Sequence, residues 1–141
     1  MATPYESADL ILRLYDLRRE TKMREARDWY TLQFHPTSAQ EVMDAVHSEN
    51  GAKVRMVLGY WETAASLVLH DAISAEMFHD TGGEALGAFC KVEHMLDDIR
   101  ELVGTPDYLK NLRKLADGWP GASERLAHMR DLFRGLASGE D

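Results

Sequence analysis

Apolar positions along the chain recur at helical spacing, and alternation of the kind a half-buried strand needs is nowhere sustained. Thr3-Pro4-Tyr5-Glu6 combines an N-cap, a proline at the first helical position and a glutamate that can reach back. This capping box predicts a helix to about Leu17 with Ala8, Ile11, Leu12 and Tyr15 on one face. A segment over about 22–34 carries Met23, Ala26, Tyr30 and Phe34, and either continues the first helix or follows a kink. Pro36 stops it, and Ser38 with Glu41 predicts a second capping box and a helix to about 48, ended by Asn50-Gly51. Further helices are expected over about 52–71, 74–80, 84–103, 105–117 and 122–137, punctuated by Gly82-Gly83, Gly104, Gly118 and Pro120-Gly121. The pattern defines an all-α, single-domain bundle of about seven helices around the apolar helix at 52–71, spanning 1–137 with a flexible tail at 138–141.

That central segment, VRMVLGYWETAASLVLHDAI, is the most apolar run in the chain and yet contains Glu62. Met56 to Leu69 is too short for a membrane span, which takes about 20 apolar residues, and an internal glutamate opposes insertion. At about 100° per residue, Arg55, Gly59, Glu62, Thr63, Ser66 and His70 share one narrow polar stripe, and apolar side chains fill the remaining arc. The small side chains of the stripe leave three readings open: it faces water, it leaves a groove, or it admits another backbone. On the 22–34 helix Arg27 falls within the apolar face. A guanidinium there must snorkel or meet a carboxylate, which predicts that Arg27 faces Glu62, with Arg55 or Tyr30 sharing the contact.

The segments LRRETKMREARDWY and LGYWETAASLVLHDAISAEMF together resemble an uncharacterised family of small all-helical bacterial proteins, over roughly residues 5–103. The resemblance implies a helical domain with no assigned activity and transfers no site residue.

Charge changes the picture of partners. With 16 basic against 24 acidic residues the net charge is −8, which disfavours nucleic acid without a local basic patch. The densest basic run, Arg18 to Arg24, is interrupted by Glu20. The single Cys90 excludes an intramolecular disulfide and a CxxC zinc site. No basic-then-apolar leader opens the given sequence, so cytoplasmic residence is the expectation.

Candidate chemistry is sparse. LVLHDAI is similar to the His-Asp signature of helical metal-dependent phosphohydrolases. An enzyme reading takes His47, His70, Asp71 and either Asp97 or Asp98 as ligands around a metal that activates water. Asp97 lies outside the apolar arc of its predicted helix, and FHDTGG supplies a second His-Asp by chance. Glu76 and His79 form one ExxH, where a di-iron bundle needs two. Glu93 groups with Asp97, Arg100 and Glu101 on a solvated face, and Cys90 lies off the apolar arc beside acids, which does not activate a thiol. The expected protein therefore has no cofactor and no metal. It acts through another protein, a second copy of itself or a small ligand, with Arg27, Arg55, Glu62 and Ser66 as the polar residues of interest.

Overall fold

Residues 2–138 are described by a computed structural model. They form nine α-helices and one 3-10 turn, with no strand among the described residues. The helices are α1 Pro4–Arg18, α2 Thr21–Gln33, α3 Ala39–Val46, α4 Gly51–Leu69, α5 Ala75–Thr81, α6 Glu84–Cys90, α7 Leu96–Val103, α8 Lys110–Asp117 and α9 Ala122–Ala137. The 3-10 turn, Glu93–Met95, separates α6 from α7. Of the expected tail only Ser138 is described, as the C-cap of α9; residues 139–141 lie outside the described residues.

The central position of α4 follows from its wide apolar arc. It packs chiefly on α2 and α8 and also meets α3, α5 and α6. Val54, Val57, Leu58, Trp61, Ala64, Ala65 and Val68 are buried. Gly59 and Thr63 of the polar stripe face water, and a Cβ built on Gly59 would meet nothing. The close-approach reading of that glycine therefore does not hold. No described helix is long and apolar enough to cross a membrane.

Local signals place most helix starts. Thr3 and Glu6 exchange both hydrogen bonds of the capping box, each at 3.1 Å. The open question between α1 and α2 resolves as a break: Glu20 is the N-cap of α2 and accepts from the Met23 N–H. Ser38 caps α3, but the Glu41 carboxylate turns one residue further back, to the amide and hydroxyl of Thr37. Buried Ser7 accepts the Ser74 N–H at 2.9 Å, tying α1 to the start of α5.

Two expected helices are altered by tertiary contacts. The helix expected over 84–103 breaks after Cys90. A straight helix offers one apolar stripe, whereas Ala85 to Val92 are buried on every side, and α7 must turn to lie against α3. The turn sends Leu102 into solvent, brings Cys90 into the core and takes Glu93 off the solvated face. The helix expected from Thr105 starts only at Lys110, after Leu109 adopts a left-handed φ of 58°. Its first amides are satisfied from another helix.

Candidate functional site

That other helix is α4, and the group is Glu62. Its Oε1 accepts the Leu112 N–H at 2.8 Å, and its Oε2 accepts the Asn111 N–H at 3.1 Å and Asn111 Nδ2 at 3.0 Å. A helix N-terminus leaves its first amides without intrahelical partners and carries partial positive charge, so a carboxylate is the suitable group there. Glu62 thus caps α8 across the bundle. The pairing with Arg27 is not formed.

Arg27 instead meets Glu84, the first residue of α6. Nε donates to Oε2 at 2.9 Å and Nη2 to Oε1 at 2.5 Å, while Nη1 reaches the Arg18 carbonyl at 3.3 Å. This forked contact raises the guanidinium pKa, the hydrogen bond to Glu84 outweighing burial. It joins the end of α1, the middle of α2 and the start of α6. Arg55 makes only a long 3.5 Å contact to the Val46 carbonyl. Ser66 belongs to the local turn in which His70 Nδ1 lies 2.8 Å from the Ser66 carbonyl. None of the four polar residues of interest lines a shared site.

The phosphohydrolase set does not come together either. Among the described residues no three His, Cys, Asp or Glu side chains are grouped so as to hold a metal. His47 is the C-cap of α3, His70 the C-cap of α4, Asp71 a left-handed turn residue with φ 60°, and Asp97 an exposed residue of α7. His79 of the ExxH lies against the Trp119 ring, centroids 4.5 Å apart, and burial lowers its pKa.

The concave, charged site lies elsewhere, among residues that sequence patterns did not single out. A pocket of about 520 Å³ is lined by His35, Pro36 and Thr37 from the α2–α3 connection, by Lys91 and His94 from the break after α6, and by the last turns of α9. From α9 and its C-cap come Arg130, Phe133, Arg134, Ala137 and Ser138. The lining therefore holds Lys91, two arginines and two imidazoles, and no carboxylate among the described residues. In a chain with eight more acids than bases this lining gathers cations, with Glu93 and Asp131 lying against Arg130 and Arg134 from outside it.

The local fold explains how each cation is held. Lys91 is only 5% exposed, and its ammonium donates to the carbonyls of Tyr30 at 2.6 Å, Thr31 at 3.0 Å and Phe34 at 2.7 Å. These are end groups of α2 that have no intrahelical donor, so Lys91 caps the negative end of that helix. The Phe133 ring lies 4.3 Å from Nζ and adds a cation–π contact. Burial nonetheless pushes the Lys91 pKa down, to about 8. Arg130 Nε donates to the Cys90 carbonyl at 3.3 Å and Nη2 to Glu93 at 2.8 Å, leaving Nη1 for a further acceptor. Glu93 also binds Arg113 at 3.1 Å, so it locks the turn after α6 to both α8 and α9. Arg134 is exposed and pairs with Asp131 at 3.3 Å. His35 Nε2 lies 2.9 Å from the Leu32 carbonyl; burial lowers its pKa and that of His94, the latter also through Arg130.

A second pocket, of about 260 Å³, shares Lys91 and Phe133 with the first. Val57, Trp61, Gly87, Ala88 and Met129 give it an apolar wall, and the Arg27–Glu84 pair lies at its other side. Trp61 Nε1 is buried without an acceptor, for which the structure offers no reason. Cys90 is fully buried, and burial lifts its thiol to about 11, so it is not a nucleophile at neutral pH.

The basic pocket had two signals in the sequence. Lys91 interrupts the apolar stretch ALGAFCKV, where a free ammonium has no place without acceptors. Arg130 and Arg134, one helical turn apart beside Phe133 and Ala137, are the other.

An all-helical domain with no gathered catalytic set among its described residues is the class that the fold and these pockets define. Over residues 5–119 the chain matches the family model described as Domain of unknown function (DUF4760), and it belongs to that family. The match covers α1 to α8 and ends before α9, which supplies half of the basic pocket. No curated protein and no solved structure matches the chain.

Proposed function

We propose that the protein is a non-catalytic binding protein for a small anion, held in the pocket between the α2–α3 connection, Lys91 and α9. The observation that carries this reading is the lining of that pocket, with three cations, two imidazoles and, among the described residues, no carboxylate, in a chain of net charge −8. Arg130 Nη1 and the Arg134 guanidinium supply the donors, because the three Lys91 protons are already taken by carbonyls and leave only its charge. Phe133 lies beside these donors in the lining. Calorimetric titration with acetate and with inorganic phosphate, in low salt, tests it. At least one should bind saturably, more weakly as salt rises, and Arg134→Glu should weaken it by an order of magnitude or more. Absence of saturable binding for both anions, or an unaffected Arg134→Glu variant, would overturn the proposal.

A second reading, self-association, is favoured by α1. Tyr5, Leu12 and Tyr15 lie on one face of that helix and are 84%, 67% and 53% exposed. A dimeric mass in solution that becomes monomeric in Leu12→Glu supports it; a monomer at all concentrations refutes it.

A further inference from the structure

Resting on the anion-binding reading, we infer that the ligand is amphipathic: its anionic head occupies the basic pocket and an apolar chain passes Phe133 into the second pocket, beside Gly87 and Trp61. The two pockets adjoin at Lys91 and Phe133, which line both. Their linings differ in kind. The first presents charge; the second presents Val57, Trp61, Ala88 and Met129, with a shape suited to methylene or aryl groups.

Gly87 makes the case that this space is built rather than incidental. It is a buried glycine inside α6, where glycine costs helix stability relative to alanine. Close packing does not require it: a Cβ there would find only Met129 Sδ, at 3.8 Å, an ordinary contact. Gly83, one turn earlier on the same wall, likewise has nothing within 4 Å of a Cβ. A helix that sits under α9 and forgoes side chains it could accommodate leaves volume beside the pocket. The occupant is a straight-chain or aryl acid, with a carboxylate or a phosphate monoester as head, since both present the same anion to Arg130 and Arg134.

The test is a chain-length series measured by calorimetry on the intact protein: acetate, hexanoate, octanoate and decanoate below their micelle concentrations, with octyl phosphate and octanol alongside. Affinity should rise on the order of fourfold per methylene until the second pocket is filled. Octanoate, octyl phosphate or both should bind far more tightly than octanol. Gly87→Leu, which fills the space, should bind acetate as the wild type does and lose the dependence on length; Gly87→Ala should shorten the best-bound chain, and stands in if the leucine variant does not fold. Anion binding that is independent of chain length would overturn the inference while leaving the anion-binding reading intact. Octanol binding as tightly as octanoate, or a length dependence unchanged in the Gly87 variants, would also overturn it. If no anion of any length binds, both readings fall together.

Discussion

Replacing Lys91 by methionine removes the ammonium and keeps the length and most of the volume of the side chain. Three carbonyls at the end of α2 then lose their donor. Each buried acceptor left without a partner costs ~1–3 kcal/mol. Against that stands the cost of burying the charge in the native protein. The Lys91 pKa falls from 10.5 to about 8, which at ~1.4 kcal/mol per unit disfavours the folded ammonium by roughly 3 kcal/mol. The net expectation at pH 7 is that Lys91→Met loses about 3 kcal/mol.

The pH dependence separates the two contributions. Between pH 8 and 10.5 the unfolded chain still holds the proton that folded Lys91 has released. The unfolded state binds more protons there, so this group makes stability rise with pH. Below pH 8 the stabilisation is absent. The buried phenols of Tyr30, Tyr60 and Tyr108 and the Cys90 thiol have raised pKa values, so they pull the other way, and the raw profile of either protein is a mixture. The difference between wild type and Lys91→Met isolates the lysine. Urea unfolding followed by far-ultraviolet circular dichroism at intervals from pH 7 to 10.5 measures it. The gap should widen by roughly 3 kcal/mol across that range. A methionine variant as stable as the wild type at pH 7 would show that the carbonyls do not depend on Lys91. A gap that stays constant with pH would show that no buried ammonium titrates.

Two further outcomes follow from the interhelical contacts. Glu62→Ala should destabilise the protein by about 2 kcal/mol, because two backbone amides and the Asn111 side chain lose their acceptor; hydrogen exchange at Asn111 and Leu112 should quicken, and unchanged protection there would refute the cap. A double-mutant cycle between Arg27→Ala and Glu84→Ala should give a coupling of about 1 kcal/mol, limited by solvent because the two side chains are 27% and 39% exposed. A coupling indistinguishable from zero would leave the forked contact without energetic weight.

Helix identity was readable in the chain because its determinants are local. Thr3-Pro4-Tyr5-Glu6 caps its own helix, Ser38 caps the next, Pro36 and Gly104 end theirs, and the 3.6-residue recurrence of apolar side chains marks which face of α4 is buried. The family resemblance rested on the same local features, and the matched region reaches further, to residue 119. Which carboxylate meets which cation was not readable. Arg27 needed an acid, and Glu62 needed a donor, but the sequence carries no distance between α2, α4, α6 and α8. Both residues satisfied their requirement elsewhere, at Glu84 and at the amides of α8.

The breaks depended on the same missing information. Uninterrupted helical periodicity over 84–103 predicts one helix, yet the chain turns after Cys90 because α6 is enclosed on every side and α7 has to reach α3. That turn also carries Lys91 under the end of α2 and Glu93 between Arg113 and Arg130. A side chain's periodic position states which way it points from its own helix. What it meets there is decided by the packing of helices far apart in sequence, so the pocket's wall, assembled from three separate segments, came into view only with the tertiary structure.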